Sequence, residues 1–362
     1  MFSFGKMIRV QVFGQSHSPM MGVVLDGFPA GIPVDEEALA AFMARRAPGK
    51  SPLATARKEA DRVEFVSGVL GGVTTGAPIC ALIANEDTKP QDYEWFRDLP
   101  RPSHADFAAF ARFGEARDHR GGGEFSGRLT APLCVAGFLC RVFAEQKGVF
   151  IGAHIASVGT VCDDRFDPVS VGKDVFSAVS GKEFPVLNDR AGEAMRETIL
   201  SAGREGDSVG GTVECAVIGL PAGMGGTSFD GIESKLAGAL FAIPAVKGVE
   251  FGSGFAGCAC RGSENNDGFC VHDGKILTET NRAGGILGGI ANGMPVVFRV
   301  GVKPTPSIGK PQNSVSLSGL EAQKLCVMGR HDPCIVPRIV PVAEAVTAIA
   351  VADMILADHG VL

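Results

Sequence analysis

Three of the seven histidines occupy segments punctuated by glycine or proline. His17 lies in Gly14-Gln15-Ser16-His17-Ser18, His104 in Arg101-Pro102-Ser103-His104-Ala105-Asp106, and His331 in Gly329-Arg330-His331-Asp332-Pro333. An imidazole, with a reference pKa of about 6.5, can give or take a proton at neutral pH, and loops held by a scaffold are where such groups are usually placed. The alternative is a histidine that only caps a turn or meets solvent, and that is the reading for His154, His272 and His359. His119, between Asp118 and Arg120, stays open.

Arginine prevails over lysine in the middle of the first half. Between residues 101 and 128 every basic side chain is an arginine: Arg101, Arg112, Arg117, Arg120 and Arg128. Arg45 and Arg46 stand together upstream, and Arg330 and Arg338 flank a late loop. A planar guanidinium grips carboxylate or phosphate through two parallel hydrogen bonds, where lysine offers a point charge. Beside Gly121-Gly122-Gly123, whose backbone can approach an anion closely, such arginines suggest a pocket for a small anion. The alternative is ordinary salt bridging with Asp106, Glu115, Asp118 and Glu124. Lys303-Pro304-Thr305-Pro306-Ser307 adds a cation and two hydroxyls on a backbone stiffened by proline. Familiar nucleotide motifs fail. Gly49-Lys50-Ser51 has the tail of a phosphate loop but Ala44 where the leading glycine belongs, and neither 121–123 nor 284–289 spells the dinucleotide fingerprint.

These groups need elements to hold them. Residues 8–13 and 21–25 read as strands around the Ser16-His17 turn. Asp35 caps a helix whose Leu39, Phe42 and Met43 have helical spacing and which ends in Arg45-Arg46. Strands are expected at 63–70 and 79–84, and a helix over 132–146 from Leu133, Ala136, Leu139, Cys140 and Phe143. The second half rhymes loosely with the first, with strands at 211–219 and 296–302 and helices at 229–242 and 342–356. Strands and helices come in pairs instead of strict alternation, which favours a layered α+β fold over a doubly wound parallel sheet.

Composition bounds the function. The chain has 34 basic against 40 acidic residues, a net charge of −6, which argues against a nucleic-acid-coating protein. Hydrophobic content of 45% with 20% charged residues excludes a disordered chain, and no biased tract divides it, so 1–362 is expected to form one domain. The start has no signal-peptide pattern, and the longest charge-free stretch, 283–298, is broken by glycines and a proline, so no membrane span is expected. Ten cysteines without a C-x-x-C suggest reduced thiols in a cytoplasm. Glycine is the unusual count, 49 of 362, against a usual share of about 7%.

In chain order, several segments resemble the chorismate synthase family. Phe13-Gly14-Gln15-Ser16-His17 is similar to its F-G-E-S-H, and residues 101–106 to its R-P-G-H-A-D. Residues 118–131, DHRGGGEFSGRLTA, are similar to D-Y-R-G-G-G-R-x-S-x-R-E-T-A. Residues 245–250, 281–289, 303–307 and 329–333 follow.

The resemblance implies a β-α sandwich with a flavin site between its layers, usually in a homotetramer. It implies conversion of 5-enolpyruvylshikimate 3-phosphate to chorismate by anti-1,4-elimination of phosphate, with reduced FMN and no net redox change. By that resemblance His17 is the acid beside the leaving phosphate, His104 lies near the flavin, and Asp332 assists removal of the C6 proton. Ser16, Arg45, Arg46, Arg120 and Arg128 are expected at the substrate. Glu124, Phe125, Ser126, Pro244, Ala245, Gly288, Lys303, Pro304, Thr305, Pro306, Ser307 and Arg330 are expected at the cofactor. NADPH enters only as an indirect reductant, with Arg46 as the candidate NADP contact and a separate flavin reductase as partner. Glu124 stands where the family often has arginine, so it is expected either to contribute its backbone or to pair with a neighbouring arginine.

Overall fold

The computed structural model describes residues 3–49, 53, 59–88, 90–327 and 332–358. Arg9–Gly14 and Met20–Asp26 pair antiparallel across the turn that carries Ser16 and His17. They belong to a five-stranded antiparallel sheet whose order from edge to edge is Ser3–Phe4, Arg9–Gly14, Met20–Asp26, Ile79–Ala84 and Val63–Ser67. Val10, Met21, Val23, Leu25, Ile79, Ala81 and Ile83 face the core from this sheet. The period of two along its strands sends polar neighbours such as Arg9 and Gln11 outward.

A second five-stranded antiparallel sheet runs Val246–Phe251, Val296–Val302, Gly211–Ile218, Phe150–Val158 and Val161–Cys162. Its middle strands are buried on both faces. Val213, Cys215 and Val217 join the main core, while Ala216 joins an outer cluster under Phe166 and Phe176 from the segment that packs on this sheet. This is why Phe150–Val158 shows no alternation in sequence.

Between the sheets lie the two longest helices, Thr130–Gln146 on the first sheet and Val336–Ala357 on the second. Both are long and apolar enough to cross a membrane by composition, yet most of each is buried within the protein. They pack closely because Gly137 has no side chain: a Cβ there would stand 2.3 Å from the Cβ of Ala345. The helix Glu36–Arg46 leans on both, and Asp35 caps it by accepting from the N–H groups of Glu37 and Ala38 at 3.0 and 2.9 Å. Such a cap contributes about 1 kcal/mol. The layered α+β expectation therefore holds, each half supplying one sheet and one long helix.

Candidate active site

The N-terminal ends of the two central helices open onto a cavity of about 660 Å³, lined at its floor by Thr130, Ile335, Ile339 and Val342. Its size is ordinary for a small-molecule site. The segments singled out in the sequence converge here. Ser16, Arg46, His104, Glu124, Phe125, Ser126, Arg128, Pro244, Ala245, Lys303, Thr305, Pro306, Ser307 and Asp332 all line it.

The two histidines meet across the triple glycine. Gly121, Gly122 and Gly123 take φ of 60, 89 and 54°, a run in the left-handed region that side chains avoid. A Cβ on Gly121 would stand 2.4 Å from His17 Cε1, and one on Gly122 3.1 Å from His104 Cε1. These glycines thus make room for imidazoles, a sharper reason than the anion approach expected of them. Ser16 N–H donates to the Gly123 carbonyl at 3.1 Å and ties the His17 turn to this loop. His17 itself is 8% exposed, edge-on to Tyr93 with ring centroids 4.9 Å apart, and sits behind the lining residues Ser16, Tyr93 and Gly121.

His104 lines the cavity directly. Its Nδ1 is 2.6 Å from Asp106 Oδ1 and donates to it, which leaves Nε2 as the atom that can exchange a proton with a bound group. Asp106 is itself gripped by Arg101, whose Nε and Nη2 donate at 2.7 and 2.8 Å. Burial would raise the Asp106 pKa, but the hydrogen bonds from Arg101 and His104 outweigh it and hold the carboxyl well below its usual range. Burial lowers the His104 pKa, and Arg101 and Lys303 push the same way against Asp106. His104 is thus held neutral at physiological pH.

Arg46 and Arg128 form a second, interior layer. Arg46 is 2% exposed; its Nη1 binds Asp61 and its Nε donates to Thr130 Oγ1 at 3.1 Å. Arg128 binds the other oxygen of Asp61, donates to Asn85 Oδ1 at 3.0 Å and reaches Glu59 at 3.3 Å. Asp61, missed by sequence reasoning, is the shared counter-ion, and the two arginines hold its pKa down against the effect of burial. From this interior position Arg46 still lines the cavity. At the late loop Arg338 donates to Asp332 Oδ2 at 2.9 Å.

Other expectations are corrected. Arg45 turns away: it makes a bidentate pair with buried Glu344 at 2.6 and 2.9 Å and does not line the cavity. Successive helix residues point about 100° apart, so Arg45 and Arg46 cannot share a face. Arg120 also lies off the cavity, closed onto Asp118 at 2.8 and 2.9 Å, the local salt bridge that was the alternative reading. Gly288 lies at a turn between Ile286–Leu287 and Ile290–Ala291, away from the cavity, as do Gly284 and Gly285. Pro304 adjoins the lining residues without being one of them. Glu124 lines the cavity, and among the described residues no arginine pairs with it. His154 is neither exposed nor a cap: it is 0% exposed, in the strand Phe150–Val158, between Asp163 and Glu214. Arg330, His331 and His359 lie outside the described residues, as do Lys50 and Ser51.

Lys303 and Lys247 give the cavity its unneutralised charge. Among the described residues neither is paired with a carboxylate; Lys303 Nζ donates to the Ser103 carbonyl, and Ser103 takes a φ of 59° to present it. Burial and the nearby Lys247 lower the Lys303 pKa, so a bound anion would restore it.

The chorismate synthase family model matches residues 8–356. Chorismate synthase from Aeropyrum pernix is 46% identical over 360 residues, covering 99% of this chain and 94% of its own. That from Methanosarcina barkeri is 45% identical over 353 residues, covering 98% and 95%. A crystal structure of chorismate synthase superposes with a TM-score of 0.78 at 27% identity, over 99% of this chain and 94% of the other.

Proposed function

The chain belongs to the chorismate synthase family, and from that premise we propose that its cavity eliminates phosphate from 5-enolpyruvylshikimate 3-phosphate to give chorismate, with reduced FMN bound beside the substrate. The observation that carries this reading is the convergence of His104, Arg46, Arg128, Lys303 and Asp332 on one cavity at two helix N-termini, with His17 packed behind Gly121. Helix N-termini favour anions, and the substrate carries a phosphate and two carboxylates.

The donor set fits a flavin mononucleotide. Lys303 and Lys247 offer charge to its phosphate, and Phe125, Ile243, Val246 and Ile339 offer apolar surface to its ring system. Glu124, Ser126, Pro244, Ala245, Thr305, Pro306 and Ser307 complete that wall. Bound reduced FMN supplies transient electron density, so the reaction needs no net oxidant.

The elimination breaks the C3–O bond to phosphate and the C6–H bond. His17 delivers the proton that makes phosphate a better leaving group, reachable because Gly121 places no side chain in front of it. Asp332 accepts the C6 proton. His104, fixed by Asp106 through Nδ1, can accept a proton at Nε2 and return it toward the cofactor. Arg46 and Arg128, held by Asp61, orient the substrate's anionic groups from the cavity's interior side. Substrate and flavin bound together in the cavity would displace water from these charges and strengthen their effect.

The protein is placed in the cytoplasm, with its flavin reduced by a separate reductase; NADPH oxidation by the purified protein alone would contradict that. The exposed apolar side chains Phe269, Val271 and Ile276 on the Phe269–Thr278 hairpin support a homotetramer, which light scattering would test. The function is tested by mixing the protein with chemically reduced FMN and the substrate under anaerobic conditions. Stoichiometric phosphate release is expected. Tight FMN binding without release would make this a flavin-binding relative lacking the elimination.

A further inference from the structure

Arg338 stands in the first turn of the helix Val336–Ala357, and that turn holds no acidic residue. A cation there opposes the helix dipole, whose N-terminal end favours negative charge. Its side chain is also largely withdrawn from water, and burial with nearby Arg46 pushes its pKa down, against the pull of Asp332. Local stability gives no reason for an arginine at this position, so the reason lies in what it touches.

It touches two things with two edges of one plane. Nη1 donates to Asp332 Oδ2 at 2.9 Å, and Nε donates to the Arg46 carbonyl at 3.0 Å. That carbonyl belongs to the last residue of the helix Glu36–Arg46, where backbone acceptors lack partners within the helix. We propose that Arg338 is a positioning residue that sets the orientation of the Asp332 carboxylate, using the end of the Glu36–Arg46 helix as its fixed support. The inference rests on the reading of Asp332 as the acceptor of the C6 proton. It couples that acceptor to the substrate clamp, because the backbone Arg338 holds is that of Arg46, whose guanidinium binds Asp61. Lysine could reach one of the two acceptors but lacks the fork to hold both in a fixed relation.

Three variants and one combination test this, each assayed anaerobically with reduced FMN for kcat and KM and titrated with FMN by fluorescence. Asp332→Asn tests the underlying reading: turnover at the wild-type rate would remove it, and the inference with it. With Asp332→Asn impaired, Arg338→Met is expected to lower kcat by about 100-fold through misplacement of the carboxylate, and Arg338→Lys by about 10-fold. KM and FMN affinity should stay within about 3-fold of wild type in both, because Arg338, although it lines the cavity, commits Nη1 to Asp332 and Nε to the Arg46 carbonyl. The Asp332→Asn/Arg338→Met double variant should be no slower than Asp332→Asn alone, since a residue that acts through another has nothing left to act on. The inference is overturned, with the Asp332 reading intact, if Arg338→Met keeps the wild-type kcat. It is equally overturned if KM rises more than 10-fold with kcat unchanged, or if the two losses multiply in the double variant.

Discussion

His104 and His154 are built from the same parts and end in opposite states. Each imidazole touches a carboxylate on Nδ1, Asp106 for one and Asp163 for the other, and each cluster contains an arginine. Burial lowers the His104 pKa, and its single carboxylate, already neutralised by Arg101 and with Lys303 nearby, does not offset that. His154 sits at the end of a row that runs straight across the second sheet: Glu250, Arg299, Glu214 and His154 oppose one another on adjacent strands. With Asp163 on its far side, that row has three carboxylates and one arginine. Burial would lower the His154 pKa, but the hydrogen bonds its ring makes to Asp163 and Glu214 outweigh it and raise it. Phe166 seals the ring from outside at a centroid distance of 4.5 Å, whereas His104 opens onto the cavity. Counting the charges around a histidine therefore separates a group poised for proton exchange from one that completes a salt-bridge row.

His154→Leu leaves Asp163 and Glu214 without the imidazole between them, and should cost about 3–5 kcal/mol in denaturant unfolding, the usual penalty for removing one partner of a buried charge cluster. A loss below 1 kcal/mol would mean that the row does not need its positive end. On the cavity side, Gly121→Ala forces a side chain into a φ of 60° against the His17 ring and should cost about 1–2 kcal/mol from the backbone alone. Phosphate release should fall with it as His17 is displaced; unchanged turnover would show that this packing is incidental.

The pH dependences run in opposite directions. The folded pKa of His154 is raised, so the stability it contributes is full below about 6.5 and is lost as pH rises through the folded value. The folded pKa of His104 is lowered, so its contribution is present above about 6.5 and is lost as pH falls through the folded value. Unfolding free energies of the two histidine variants against wild type, measured across pH, should converge at high pH for His154 and at low pH for His104. The smallest effect is a control. In the helix Ile232–Leu240, a methyl added at Gly238 meets nothing within 4 Å, so Gly238→Ala should stabilise by about 0.5–1 kcal/mol without touching turnover.

Much of the site was legible because its groups lie in short motifs whose turns carry glycine or proline, as with His17, His104, the 124–128 stretch and 303–307. What failed was direction. Arg45 and Arg46 look alike in a sequence, and only the helical rotation separates a partner of Glu344 from a group in the cavity. Arg120 had its partner two residues away in Asp118, a local signal that pointed correctly to a salt bridge. Asp61 and Arg338 carry no motif of their own: Asp61 pairs with Arg46 and Arg128, 15 and 67 residues away, and Arg338 ties Asp332 to the distant Arg46 carbonyl, links that periodicity does not reveal. In the fold, the strand Phe150–Val158 was hidden by burial on both faces, while the helix Asp189–Arg204 had an Asn188 cap and buried Gly192, Met195 and Ile199 at helical spacing that went unread. The glycine excess divides likewise: Gly121 and Gly122 shape the site, Gly137 lets two helices meet, and Gly284–Gly289 serve turns elsewhere.

By the proposed mechanism, chemistry resides at the cavity histidine and structure at the sealed one. The most direct test is anaerobic phosphate release per folded molecule for His104→Asn and His154→Asn, assayed side by side with reduced FMN. A loss of about 100-fold or more is expected for His104→Asn, the usual contribution of a positioned proton-exchanging group, with near wild-type turnover for the folded fraction of His154→Asn. Normal turnover by His104→Asn, or a comparable loss in folded His154→Asn, would contradict it.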